Sequence, residues 1–112
     1  MTIEQIIVGY LSSSLSVPVS GDVPINKPDE FVTVEKIGSG EKDHIRSATL
    51  AIQSWSMSQD SASTLNEAVK AAMDGAVVLD AISRSHCETD YNFTDTSTKR
   101  HRYQAVYTVV YH

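Results

Sequence analysis

The stretch from residue 48 to residue 73 reads ATLAIQSWSMSQDSASTLNEAVKAAM, and it predicts a long strand followed at once by an amphipathic helix. The first ten residues form the strand segment. In the remainder, apolar residues recur at spacings of three and four, which places them on one face of an α-helix. Those residues are Leu65, Ala68, Val69, Ala72 and Met73. The other segments can be placed around this strand–helix unit.

The strand is expected over 45–58 and the helix over 61–74. The sequence leaves the first residue of the helix undecided within one turn. Asp60, Ser61 and Ser63 are all suitable N-cap residues, because their side chains can accept hydrogen bonds from backbone amides. The glycine that follows the helix is suited to ending it.

The one tryptophan of the chain lies on the unexpected side of this strand. Leu50 and Ile52 share one face, whereas Trp55 and Met57 share the other. Two explanations remain open. A β-bulge near Gln53 would return the tryptophan to the core side; alternatively, an unbroken strand presents the tryptophan to a neighbouring molecule.

The remaining segments complete a single domain over 1–112. The proline-containing segment predicts an extended loop with at most a short edge strand, and apolar–polar alternation predicts the strands. The further elements expected are a helix over 2–15, a loop over 16–29, and strands over 31–37, 81–87 and 102–111. This order predicts the α+β class: a mostly antiparallel sheet of four or slightly more strands, with two helices packed on one face.

The last predicted strand is apolar on both faces, although the helices can cover only one face of the sheet. Tyr107 lies on one side of it, and Val106 and Val110 lie on the other. A strand of this kind requires cover on both faces, so we expect a second copy of the chain to provide it. The predicted interface residues are Trp55, Met57, Tyr103, Val106, Tyr107 and Val110.

The charge balance argues against a protein that grips nucleic acid. Nine Lys and Arg residues against 14 Asp and Glu residues give a net charge of −5, whereas binding to phosphates requires a basic surface. A single cysteine cannot form an internal disulfide, which is typical of a reducing compartment. The sequence has no run of about 18 apolar residues, so we expect no membrane partner.

The residues that could carry chemistry do not form a recognised site. The histidines and the cysteine are residue types that bind zinc, but their spacing matches no known zinc-binding pattern. These residues are His86, Cys87, His101 and His112. Neighbouring residues on a strand point to opposite faces, so His86 is poorly placed to activate Cys87. The acidic run over 88–95 lacks the glycine and final glutamate of a calcium loop. We therefore predict no catalytic residue, metal, cofactor or small-molecule substrate.

The layout resembles the tail terminator, or head–tail joining, proteins of long-tailed bacteriophages and prophages. The resemblance extends over nearly the whole chain. It includes an N-terminal helix, the loop VPVSGDVP at 17–24 before the strand FVTVE at 31–35, the strand LAIQSW at 50–55 with its helix, and the final strand RYQAVYTVV at 102–110. The closest matches are residues 53–55 and 102–104.

The resemblance implies a structural protein without catalytic residues that forms a ring, expected to be a hexamer. Such a ring caps the finished tail tube and joins it to the head. The implied partners are therefore further copies of the chain, the tail tube protein and the head connector proteins, while DNA passes through without specific binding. The implied location is the virion, at the head–tail junction, after assembly in the host bacterial cytoplasm.

The polar segments 38–46 and 88–101 would then contact the tube or the connector. The residues expected at these contacts are Glu41, Lys42, Asp43, Asp95, Lys99 and Arg100. Two alternatives remain. One is another head-completion or minor tail ring component, and the other is a small ligand-binding or enzymatic α+β domain that uses Cys87 and His86.

Overall fold

The computed structural model describes residues 1–95, 97 and 100–112, and within them the chain is an α+β domain with a five-stranded mixed sheet and two α-helices. None of the described helices is long and apolar enough to cross a membrane. The elements are α1 (Ile3–Ser14), β1 (Val19–Ser20), β2 (Phe31–Lys42), β3 (Ile45–Ser56), α2 (Gln59–Asp74), a 3₁₀ turn (Ala76–Val78), β4 (Ile82–Asn92) and β5 (His101–Tyr111).

The strands lie in the order β1-β2-β3-β5-β4, and each neighbouring pair is antiparallel except β1–β2. β1 has only two residues; Pro18, which precedes it, cannot donate a hydrogen bond, although its carbonyl oxygen accepts from Val32 N at 2.9 Å. The predicted α+β class is confirmed, and β1 is a short edge strand, which the prediction for the 16–29 loop allowed.

Both helices pack on the same face of the sheet and bury one apolar core there. α1 begins at a capping box, in which Thr2 Oγ1 accepts from Gln5 N at 3.2 Å and Gln5 Oε1 accepts from Thr2 N at 2.9 Å. Tyr10 Oη donates to the Ala72 carbonyl oxygen at 2.7 Å and joins the two helices. The largest fully buried side chains of this core include Ile7, Leu11, Leu50, Ile52, Met73 and Tyr107.

Two strands run further than predicted because each forms an arm of a long hairpin. β2 extends to Lys42 rather than residue 37. Asp43 and His44 form the turn with φ angles of 52° and 66°, the positive values that a two-residue hairpin turn of type I′ uses. β4 extends to Asn92 rather than residue 87. Polar side chains suit both extensions because these parts of the hairpins are largely exposed.

α2 begins earlier than predicted, at Gln59, because Ser58 is its N-cap. The backbone of Ser58 is extended, and its hydroxyl accepts from Ser61 N at 3.2 Å. The prediction that Asp60, Ser61 or Ser63 is the N-cap of this helix is therefore wrong. The strand end predicted at residue 58 and the helix start predicted at residue 61 move to 56 and 59.

β3 pairs with β5 without interruption, so the first explanation for Trp55, a bulge near Gln53, is wrong. Register shifts occur instead at Ile37 in β2 and at Ser83 and Glu88 in β4, the edge strand of the sheet. Because side chains alternate along the unbroken strand, Trp55 lies on the sheet face opposite the helices.

Candidate assembly surface

The sheet face opposite α1 and α2 carries no helix in the described part of the chain, and we call it the open face. The register of the four long strands shows which residues belong to the open face, since successive side chains of a strand point to opposite faces. Along the strands it consists of an aromatic end, a polar row and an apolar middle.

At the aromatic end, two stacked rings and an arginine cover one another. Trp55 stacks on Phe31 with ring centroids 5.3 Å apart. The Arg102 guanidinium carbon lies 4.5 Å from the centroid of the Trp55 ring and 4.5 Å from that of Phe93. Trp55 Nε1 also donates to Thr33 Oγ1 at 3.2 Å. Only 7% of Trp55 is exposed, so its own subunit already provides the cover that the second explanation assigned to a neighbour.

The polar row crosses the sheet next to Trp55. Gln53 Nε2 donates to Gln104 Oε1 at 2.7 Å, and Gln104 Nε2 donates to Tyr91 Oη at 2.5 Å. Thr33 Oγ1 donates to Gln53 Oε1 at 3.4 Å. Gln104 is buried, and a buried amide without partners is costly. The row therefore favours one register of the four long strands.

The apolar middle of the open face is less completely covered. Ala51 and Val106 are paired across β3 and β5, and Val110 lies further along β5. Val106 and Val110 are half-buried, as are the neighbouring Thr49 and Thr108. This is the part of the open face that a second protein surface could cover.

The residues predicted to form the interface do not lie together. Val106 and Val110 are on the open face, and Met57 is 54% exposed just beyond β3. Tyr103 and Tyr107 lie on the helix-covered face, where Tyr107 is fully buried. This corrects the assignment of Tyr107, because a side chain without exposed surface cannot contact a second copy. Trp55 is 7% exposed, so it offers little surface to a second copy.

Tyr107 is held by polar groups of α2. Its hydroxyl group donates toward Asp74 Oδ1 at 2.9 Å and the Lys70 carbonyl oxygen at 3.2 Å. Burial, together with the hydrogen bond to Asp74, raises the pKa of Tyr107 well above its usual value. The phenol is therefore a protonated donor throughout the neutral range.

A neighbouring ion pair joins α2 to β4. Asp90 Oδ2 accepts from Asn66 Nδ2 at 2.9 Å and from Lys70 Nζ at 3.2 Å, and this hydrogen bond raises the pKa of Lys70. Asp90 faces the helix because the register shift at Glu88 changes the alternation of β4. Burial raises the pKa of the Cys87 thiol, so less of it is thiolate at neutral pH. This argues against a nucleophilic role for Cys87.

The histidines considered for a metal site make separate contacts. His86 Nε2 lies 3.9 Å from Glu88 Oε1, and His112 Nδ1 lies 3.2 Å from Ser83 Oγ. Residues 1–95, 97 and 100–112 contain no group of three or more His, Cys, Asp or Glu side chains that could hold a metal ion.

Alkaline pH is expected to destabilise the protein through Tyr107. A folded-state pKa above the unfolded value of about 10 means that folding favours the protonated phenol. This contribution to stability is fully present below about pH 10 and is lost as the pH rises further. Urea unfolding between about pH 8 and pH 11 should show a smaller decline for Tyr107→Phe than for the wild type, because the variant has no phenol to lose. Some decline remains in both proteins, because the pKa values of Lys70 and Cys87 are also raised by folding. Equal declines in the stability of the two proteins would contradict the claim that folding favours the protonated form of Tyr107.

Three of the residues predicted to contact the tail tube or connector lie at the end of the β2–β3 hairpin. Glu41, Lys42 and Asp43 are exposed at the tip of the β2–β3 hairpin. Glu41 pairs with Arg46, the residue of β3 at which pairing with β5 stops, so Lys42 and Asp43 extend beyond β5. This tip is accessible to a partner.

The other three predicted contact residues lie between β4 and β5 in the sequence. Lys99 lies outside the described residues, and Asp95 and Arg100 form an isolated bridge. Arg100 Nη1 donates to the Pro28 carbonyl oxygen at 2.5 Å, and Nη2 donates to that of Lys27 at 3.3 Å. Arg100 therefore holds the loop between β1 and β2 against its own subunit.

The arginine–aromatic contacts were missed by sequence reasoning because they depend on register. Arg102 meets Trp55 only because β3 and β5 are neighbours with these two residues paired. The alternation of β5 indicates that Arg102 shares a face with Val106, but it does not indicate which strand lies alongside.

No protein-family model matches the sequence, and no curated protein is significantly similar to it.

Proposed function

We propose that the protein is a structural subunit of a bacteriophage or prophage particle: a tail terminator or head–tail joining protein that forms a hexameric ring at the head–tail junction of the virion. The observation that carries this proposal is the apolar middle of the open face, where Val106 and Val110 are only half-buried. An apolar sheet surface left partly uncovered is typical of a site that another subunit completes. The resemblance of the layout to this class of protein points the same way.

A ring requires each copy to use two different patches, because head-to-tail contacts are the ones that close around a rotational axis. The open face supplies one such patch. The exposed hairpin tip at 41–43 suits contact with the tail tube protein or a head connector protein. The net charge of −5 suits a ring through which DNA slides, since acidic groups repel phosphates. Assembly would take place in the host bacterial cytoplasm.

Charged substitutions on the open face should break the ring. Val106→Asp and Val110→Asp are each expected to weaken self-association about tenfold or more, because an aspartate buried in the contact would lose its hydration without gaining a partner. Light scattering after size-exclusion chromatography measures the mass over a concentration series, and electron microscopy shows rings directly. Val77→Asp is the matched control, since Val77 is exposed and lies on the 3₁₀ turn, outside the open face.

The results of these experiments test the open face, the ring and the choice of ring component separately. Rings that persist unchanged in both open-face variants would remove that face from the assembly. A wild-type protein that remains monomeric at high concentration would contradict the ring itself. Rings that bind a head-completion or minor tail protein, and not tail tubes, would favour another ring component of the same particle.

A further inference from the structure

The outer edge of β2 is paired only near its start. β1 pairs with Val32 and Thr33, and Gly21, which follows β1, lies close to the Val34 carbonyl oxygen. In the described part of the chain, residues 35–42 have β3 as their one strand neighbour, and we call them the β2 edge. The unpaired amide and carbonyl groups of such an edge are a template for a further strand.

The β2 edge reads EKIGSGEK, with the same Glu-Lys pair at each end. Its side chains are exposed, and Gly38 is half-buried. The register with β3 shifts between Lys36 and Gly38, because Ile37 is an extra residue. With Ile37 set aside, Ser39 is the middle residue of the edge, and the charged pairs lie at equal distances on either side of it.

The backbone groups at the middle of the β2 edge point outward. In an antiparallel pair, alternate residues direct their amide and carbonyl groups toward the neighbouring strand and away from it. Val32 points away from β3, because its amide donates to the Pro18 carbonyl oxygen on the other side. Val32 is opposite Ser54, and β2 residues opposite every second residue of the unbroken β3 point the same way. Within the β2 edge these residues are Lys36, Ser39 and Glu41.

The bulge at Ile37 decides which charged side chains share a face. Glu35 and Lys42 are an odd number of positions apart, so a regular strand would place them on opposite faces. Their partners in β3, which include Ala51 of the open face, are an even number of positions apart. Both side chains therefore lie on the open face. By the same count, Lys36 and Glu41 lie on the helix-covered face.

We infer that the β2 edges of two copies pair antiparallel about a two-fold axis at Ser39, which joins the two sheets into one. Ser39 of one copy then donates to, and accepts from, Ser39 of the other copy. This register sets Lys36 of each copy opposite Glu41 of the other copy. It also sets Glu35 opposite Lys42. Directly opposed side chains of an antiparallel pair lie on one face and interact, and both of these pairs meet that condition.

Charge complementarity identifies the second strand as another copy of this chain. Every charged side chain of the β2 edge meets an opposite charge, whereas an edge with one sign of charge would repel its copy. Among the described residues, neither Glu35 nor Lys42 has an ion-pair partner, and Lys36 has a long contact of 3.9 Å with Glu4. The turn residues 43–44 lie outside the paired stretch. A two-fold contact does not close a ring, so this contact is separate from the proposed ring and does not depend on it.

Reversal of the charges at the ends of the β2 edge is the first test. Glu35→Lys and Lys42→Glu each replace two attractive pairs of the dimer by two repulsive pairs, so each should weaken dimerisation about tenfold. An equal mixture should form heterodimers as well as the parent protein forms dimers, because opposite charges meet again at both ends. Lys27→Glu, at an exposed position of the loop between β1 and β2, is the matched control and should leave dimerisation unchanged.

Sedimentation velocity measures the dimer in a Val106→Asp background, which is expected to lose the open-face contact and keeps the β2 edge. The concentration series extends into the millimolar range, because contacts along one strand edge are small and weak. Circular dichroism melts establish that the variants are folded. Val106→Asp protein that stays monomeric throughout, equal dimerisation of the parent and both charge variants, or a mixture without heterodimers would overturn the inference.

A cysteine cross-link is a second test, and it applies whether or not rings form. Ser39 is its own partner across the axis, so two Ser39→Cys copies with Cys87→Ser should form an intermolecular disulfide under mild oxidation. Ser12→Cys, at an exposed position of α1, is the matched control and should be linked about tenfold more slowly, since it has no preformed contact. Equal rates would overturn the two-fold contact, and wild-type rings in that case leave the proposed function standing. Dimers of a protein that forms no ring would instead support the contact and remove the ring.

Discussion

Replacement of Trp55 by alanine is expected to lower the free energy of unfolding by about 3–5 kcal/mol, the usual cost of removing a large buried aromatic side chain. The change removes the stacking on Phe31, the contact with Arg102 and the hydrogen bond to Thr33. A domain of this size has only about 5–15 kcal/mol of stability, so the melting temperature should fall by at least roughly 12 °C. Urea denaturation at a concentration where the protein is monomeric measures the loss.

Trp55→Phe is the matched variant for this prediction. A phenylalanine can still stack on Phe31 and lie under Arg102, but it cannot donate to Thr33 Oγ1. Its loss of stability should therefore be well below that of the alanine variant. A Trp55→Ala protein with unchanged stability and weakened self-association would instead return Trp55 to an interface, against its burial within one subunit.

Replacement of Tyr107 by alanine should cost a similar amount, about 3–5 kcal/mol. Tyr107 is among the largest fully buried side chains, and it fills the core between the sheet and α2. Its removal leaves a cavity and deprives Asp74 of a hydrogen-bond donor. Because the effect is on the folding of each subunit, the loss of stability should be the same at all protein concentrations at which the chain is monomeric.

Tyr107→Phe separates the two contributions of this side chain. It keeps the ring in the core and removes only the hydroxyl group, so the expected loss is about 1 kcal/mol, the net contribution of one hydrogen bond. Equal losses for the phenylalanine and alanine variants would show that the ring contributes little packing. That result would contradict the complete burial of Tyr107.

Helices and strand faces were predictable because their signals are local. The repeat of apolar residues in α2 and the alternation in β5 both depend only on neighbours along the chain. The strand end at Lys42 was not predictable in the same way. Polar residues in an exposed hairpin arm show no apolar alternation, and the turn at Asp43 and His44 lacks the Asn-Gly or Asp-Gly pair that marks such turns.

The candidate assembly surface was predictable only in part. Alternation places Val106 and Val110 on one face and Tyr107 on the other, but both faces are apolar, so alternation cannot say which one the helices cover. The position of Tyr107 depends on Asp74 of α2, more than thirty residues away along the chain. The cover of Trp55 is not visible in the sequence either, because Arg102 is brought alongside it only by the pairing of β3 with β5.

The displaced residues Ser83 and Glu88 interrupt the regular row of amide and carbonyl groups along the outer rim of β4. An irregular rim is a poor template for an incoming extended peptide, which is how fibrils start. Edge-to-edge pairing along β4 is therefore disfavoured, whereas β2 beyond Thr33 pairs with no outer strand in the described part of the chain.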